Sequence, residues 1–495
     1  MASPPAPTSL LSSLRETVGT DFTAAVGQLS ELVRIPAMAW ASFDPAELDK
    51  AARHVAGLMH QAGIADVDIL QAPRPDGGQG APAVVGRRPA RNGKPTLLLY
   101  AHYDVQPAGD ISLWESPPFE AVERTGRLWG RGVADNKAGV MLHLAAFRNA
   151  LRVLGGDLEL GITVLIDGEE EAGSPSLPLL LQQHSELLAA DVLVVADSGN
   201  WKVGVPALTT SLRGLILGTI EVQVLDHALH SGTYGGPLLD AVTVLSRLIA
   251  TLHHDDGSVA VDGLASSDAP GPPLSEEEFR ADSGVRPGVH LVGTGSLTSR
   301  LWTKPALVII GMDVPSVALS SDTLQPLARA KFSLSLAPET DTAVAMEAVR
   351  RHVEAHTPFG ADVTFTPAGR TEGFAGDASS PAARAMLSAM EDTWGVPAVC
   401  MGVGGSIPAV NILTKLYPRA EVLITGAEDP DSRAHGANES IHLGDFEKAI
   451  VAEALLIARL NTRTSLPGSH PGWVPGSTVT VSSLVSPACG RGAIN

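Results

Sequence analysis

Leu48, Ala52, Val55, Leu58, Met59 and Ala62 recur every three or four positions and so share one face. Residues 44–62 are therefore predicted to form an amphipathic helix, with Asp44 as N-cap and Pro45 in its first turn. Further along, the period changes. The apolar runs TLLLYA (96–101), LGITVLI (160–166) and DVLVVA (191–196) read as buried strands, with helical stretches at 137–154 and 175–189 between them. Such alternation predicts a largely parallel sheet with helices on its faces, because parallel neighbours need a crossover long enough to hold a helix.

From Gly214 the character of the chain changes to strand-like runs separated by helical stretches. Strands are predicted at 214–224, 306–312, 328–336 and 361–367, and helices at 237–252 and 342–356. The order β-α-β-β-α-β is that of a small split-βαβ, ferredoxin-like domain. Residues 253–305, rich in Gly, Pro, Ser and Asp, read as a long loop within it. The apolar run EVLIT (421–425) and the longer helices around it return the chain to the first domain. The expected fold is thus α/β, a mixed, largely parallel sheet with helices on both faces, plus an inserted α+β domain. Residues 1–212 and 382–465 would build the first domain and 213–381 the insertion. Residues 466–495, mostly Pro, Gly, Ser and Thr without periodicity, are expected to be a tail of low order.

With 495 residues, 44% of them hydrophobic, the chain can bury two cores. No run approaches the length of a membrane span, and the first residues lack a basic start followed by an apolar stretch. A cytoplasmic protein is expected. The net charge of −19, with no basic run longer than Arg87-Arg88, argues against a nucleic-acid partner. Cys400 and Cys489 are the only cysteines, so any metal must be held by His and carboxylates.

Groups of that kind follow the apolar runs repeatedly. His102 and Asp104 follow TLLLYA, Glu169 to Glu171 follow LGITVLID, Asp197 follows DVLVVA, and His435 comes shortly after EVLIT. In an open α/β sheet the carboxyl ends of the strands face one crevice, so these side chains are predicted to converge there. Imidazoles and carboxylates together suit zinc, with cobalt or manganese as alternatives.

The motifs AHYDVQP (101–107), GRGVADNKAG (130–139) and EEAGS (170–174) resemble those of the dinuclear zinc peptidases. That family includes carnosinase-like dipeptidases, aminoacylases, glutamate carboxypeptidases, and acetylornithine or succinyl-diaminopimelate deacylases. LHSGTYGG (229–236), GGSIP (404–408) and AHGANE (434–439) resemble its dipeptidase branch in particular. The resemblance covers about residues 20–460. It implies a zinc aminopeptidase-like fold with an inserted dimerisation domain, two divalent ions per chain, and hydrolysis of an amide or peptide bond by activated water. By the same resemblance His102 and Asp197 would hold one ion, Glu171 and His435 the other, and Asp135 both. Asp104 would orient His102, Glu170 would be the general base, and His230 would stabilise the oxyanion from the neighbouring subunit of a homodimer. Gly405 and Ser406 would present amides and a hydroxyl to a substrate carboxylate.

On one edge the pattern departs from the family's. Ser335 stands in KFSLSLAP where an arginine is usual, and Asp322 in SSDTLQP where a neutral residue is usual. Losing a guanidinium and gaining a carboxylate both disfavour a substrate with a free carboxylate there. Arg329 or Lys331 would be the alternative source of charge. Hydrolysis of N-acyl or carbamoyl amino acids is the runner-up activity. Amide synthesis or acyl transfer on the same scaffold, or binding without catalysis, are the further alternatives.

Overall fold

A computed structural model of the chain describes residues 7–268 and 271–462. The predicted tail at 466–495 lies outside these residues. The chain forms two compact units, with breaks between Thr210 and Ser211 and between Ala375 and Gly376. The expected boundaries stand at 212/213 and 381/382, and the short segment Gly402–Ser406 groups with the second unit.

The first unit is built on a mixed sheet. Its strands run Asp66–Leu70, Ala83–Arg88, Gly161–Asp167, Thr96–His102, Val192–Gly199, Glu421–Glu428 and Ala207–Leu212 in spatial order. Thr96–His102 pairs in parallel with both Gly161–Asp167 and Val192–Gly199, and Val192–Gly199 in parallel with Glu421–Glu428. These four central strands point their carboxyl ends the same way, while the outer pairings are antiparallel. Gly161–Asp167 is buried at every position, which is why it reads as a continuous apolar run.

Helices Lys137–Leu154, Leu443–Asn461 and Pro7–Val33 pack together with this sheet into one apolar core. Lys137–Leu154 is buried at all positions through Ala150. Helix Pro7–Val33 has no counterpart in the sequence reading, which begins at residue 44. Its core positions Leu14, Val18, Ala25, Leu29 and Leu32 are separated by Ser, Thr and Gly, so its apolar face is sparse. It also buries Asp21, whose carboxylate accepts from Arg148, Asn149 and Arg152. Burial opposes ionisation of Asp21, but those donors outweigh it and hold the carboxyl below its usual range.

In the second unit the strands lie in the order Ala306–Asp313, Leu327–Leu336, Gly214–Gln223 and Asp362–Thr371, all antiparallel. Helices Ala241–Ala250 and Thr342–His356 cover one face, meeting Ile216, Ile220, Ala328, Ala330, Phe332 and Leu334. That is the predicted split-βαβ arrangement. Gly218 lies opposite Phe332, and a Cβ there would sit 2.6 Å from its ring. The segment 253–305 differs from its expected loop character, because it contains helices Glu276–Ser283 and Leu297–Trp302. The first is started by a reciprocal capping box between Ser275 and Glu278, a local device strong enough to order a turn in a Gly/Pro-rich stretch.

Candidate metal centre

The parallel strands of the first unit end in a row of polar side chains. His102 closes Thr96–His102, Asp197 lies near the end of Val192–Gly199, and Glu170 and Glu171 follow Gly161–Asp167 in a short turn. Asp135 precedes helix Lys137–Leu154, and His435 lies beyond Glu421–Glu428. They gather into two groups, His102 with Glu170 and Asp197, and Asp135 with Glu171 and His435, each with donor atoms within 4.8 Å of one another. Asp135 adjoins both, its carboxylate lying 3.2 Å from His102 Nε2 and 2.9 Å from His435 Nε2. His102 Nε2 is 3.3 Å from Asp197 and 3.8 Å from Glu170, and His435 Nε2 is 3.2 Å from Glu171.

Surrounding groups set the orientation. Nδ1 of His102 faces the Asp104 carbonyl at 3.1 Å and its carboxylate at 3.2 Å, which directs Nε2 at Asp135 and Asp197. The same Asp104 carboxylate accepts from the amides of Glu170 and Glu171, both at 3.1 Å, so it also fixes the turn carrying those two. Asn136 donates to Asp197, and Gln106 to Glu171. Glu169 faces elsewhere, accepting from Ala81, from the Ser176 amide and from the Ser176 hydroxyl.

Electrostatically the centre is a cation site. Burial pushes the Glu170 carboxyl well above its usual range; nearby His102 works against this, while Asp197, Asp104 and Asp135 add to it. Burial likewise raises Asp104 to about 6. For His435, hydrogen bonds to Asp135 and Glu171 raise the imidazole to about 10. Burial opposes a charge on His102, yet Asp197, Asp104 and Asp135 raise it well above the ordinary value. Two buried atoms at the centre, His102 Nε2 and Glu171 Oε1, have no hydrogen-bond partner. Orphaned donor atoms among crowded carboxylates fit divalent cations, which neutralise the charge and complete the missing contacts. His, Asp and Glu without Cys suit zinc, cobalt or manganese.

Three further residues at this centre, Glu428, Arg131 and Glu439, are not among those expected from the sequence. Glu428 ends its strand as His102 ends its own, and burial together with Asp135 and Asp197 pushes its carboxyl well up. That shared position at a strand end was available in the sequence. Arg131 lies within GRGVADNKAG (130–139) and Glu439 within AHGANE (434–439), but neither residue type marks its place at the centre until the backbone is in place.

The predicted substrate residues belong to the second unit. His230 is exposed, and its Nδ1 accepts from Gly232, which caps the short helix Ser231–Tyr234. It pairs with Thr323 in a two-stranded ladder, and the Ser231 amide donates to the Asp322 carbonyl, so His230 and Asp322 are neighbours. Ser335 lies on Leu327–Leu336, on the face opposite the buried Phe332 and Leu334. On that face Arg329 is engaged by Glu221 and Asp313, and Lys331 is exposed. Gly405 is exposed and Ser406 half-buried.

No helix among the described residues is long and apolar enough to cross a membrane. Across known proteins, the chain is 34% identical over 82% of its length to a cysteinylglycine-S-conjugate dipeptidase of Corynebacterium striatum, covering 89% of that protein. It is 28% identical over 82% of its length to a Beta-Ala-His dipeptidase of Rattus norvegicus, covering 86% of it. Among solved structures, human carnosine dipeptidase 1 superposes with a TM-score of 0.76 at 24% identity, over 93% of this chain and all of that one. The dipeptidase Dug1p of Saccharomyces cerevisiae gives 0.75 at 22% identity, over 91% of this chain and 98% of that one, and at such identities both likenesses bear on the fold. The model of peptidase family M20/M25/M40 matches residues 98–459, and with the paired clusters at the strand ends this shows that the chain belongs to that family.

Proposed function

We propose that the protein hydrolyses the peptide bond of small dipeptide-like substrates at a centre of two divalent cations. The observation that carries this reading is the pair of three-residue clusters, Glu170 belonging to the first and Asp135 to the second, with the Asp135 carboxylate against both His102 and His435. His102 and Asp197 would hold one ion, Glu171 and His435 the other, and Asp135 would serve both, zinc being the ion this donor set suits best. Bound there, the ions lower the pKa of water and polarise the scissile carbonyl. Glu170 takes a proton from the attacking water as the new C–O bond forms, and passes it to the amine as the C–N bond breaks. Asp104 acts through others, holding His102 and the amides of Glu170 and Glu171.

The substrate's leaving portion is neutral or cationic. Ser335 offers no cation, Arg329 is engaged by Glu221 and Asp313, and Asp322 adds an acidic residue next to Thr323, the strand partner of His230; the exposed Lys331 on the face of Ser335 is the alternative source of charge against which the panel tests this reading. Gly405 and Ser406 contribute amides and a hydroxyl. The test is a panel pairing free dipeptides with the corresponding aminoacyl amides, together with N-acyl amino acids. Amides should be turned over at least as fast as the free acids. A strong preference for the free carboxylate would overturn this specificity, and hydrolysis confined to N-acyl amino acids would move the protein to a different substrate class.

His230 completes the site from a second copy of the chain. Supporting this, the edge strand Ala306–Asp313 exposes Val308, Ile310 and Met312 and has no strand on its outer side among the described residues, an arrangement that invites a partner strand. Sedimentation should find a dimer for the wild type and a monomer for Ile310→Lys. A monomeric wild type would remove the partner on which the role of His230 depends.

A further inference from the structure

Two loops bring Asp135 and His435 together, and each loop is gripped by a buried side chain from the other. Glu439, on the second loop, is fully buried. Its carboxylate accepts from the amides of Gly132, Ala134 and Asp135 at 3.0, 2.9 and 3.0 Å. Arg131, on the first loop and 1% exposed, donates to the carbonyls of His435 and Gly436, both at 3.1 Å. The two side chains meet at 2.7 Å, and the Arg131 guanidinium lies over the Trp114 ring. The Gly130 amide adds a bond to the Glu439 carbonyl. His435 itself has φ 63°, a left-handed conformation that a non-glycine residue keeps only when its surroundings impose it.

We infer that Arg131 and Glu439 form a reciprocal clamp that sets the spacing of Asp135 and His435 before any cation arrives. They are positioning residues that govern affinity for the ion held by Asp135, Glu171 and His435. A buried ion pair could simply hold two loops in the fold, but this one ends on the backbone of the two proposed ligands themselves. The other ion depends on it less. His102 and Asp197 are fixed at strand ends by Asp104 and Asn136, so loosening the clamp misplaces one of that ion's donors and two of its neighbour's.

This inference rests on the two-ion reading, and one experiment separates the two. The metal-free full chain is titrated with Zn²⁺ against a chromophoric chelator. Uptake of two ions by the wild type upholds the two-ion reading, and fewer than two overturns both that reading and the clamp. In Glu439→Gln one step should weaken by about 10- to 100-fold, the usual effect of losing a group that supports a ligand, and the other by a smaller factor. Arg131→Lys keeps the charge but lacks the fork that reaches both His435 and Gly436, and should show the same asymmetry if Glu439→Gln does not fold. A merely structural pair would lower the thermal stability of the metal-free protein and leave the ratio of the two affinities unchanged. That result, or equal weakening of both steps, overturns the clamp.

Discussion

Glu170→Gln is expected to reduce turnover by about 10²- to 10⁴-fold, the usual contribution of a positioned acid–base group, while the protein still takes up two ions. The substitution conserves shape and the backbone bond to Asp104 and removes only the ability to carry a proton. Measuring kcat alongside bound metal separates the roles open to this position. Glu170 lies in one cluster with His102 and Asp197, so it is close enough to serve as a ligand. Loss of one ion in the variant would make Glu170 that ligand and pass the base role to Glu171. Retained metal with unchanged turnover would remove the general base from the mechanism altogether.

Asp135→Asn should have the larger effect on metal. Asp135 is the one carboxylate in contact with both imidazoles, and burial raises its pKa less than His102 and His435 lower it, so it is held ionised. Replacing it with a neutral amide removes a charge from both sites at once. Since losing a group that merely supports a ligand costs about 10- to 100-fold in affinity, losing a shared ligand should weaken both ions by more than this and abolish hydrolysis. Titration with Zn²⁺ and an activity assay at matched metal occupancy would check both parts. If only one ion weakens, Asp135 belongs to a single site and the centre is not bridged.

The elements and residues visible in the sequence are those whose signal is carried by side chains. Buried strands announce themselves as apolar runs, and His102, Asp197, Glu170, Glu171 and His435 stand close behind them. The inserted domain is legible for a similar reason, because strands such as Leu327–Leu336 bury one face and alternate along their length. What was missed depends on other physics. Helix Pro7–Val33 spaces its core residues with Ser, Thr and Gly and buries a charged network around Asp21. The helices within 253–305 are short and begin at capping residues rather than in an apolar period. Glu439 works through main-chain amides, and since every residue but proline has one, no pattern of residue types reveals which carboxylate will collect them.

The first unit is interrupted by the second, which separates its two parts by the whole of residues 211–375. His102, Asp135, Glu170, Glu171 and Asp197 all precede the interruption, and His435 and Glu439 follow it. A chain emerging from the ribosome therefore carries most of the centre long before it can be completed. The strand Glu421–Glu428 must first travel back to lie beside Val192–Gly199, the kind of long-range closure that slows folding. A chain that stops short of residue 435 therefore holds His102, Glu170 and Asp197 together in sequence but lacks the third member of the cluster of Asp135 and Glu171, and lacks Glu439 as well.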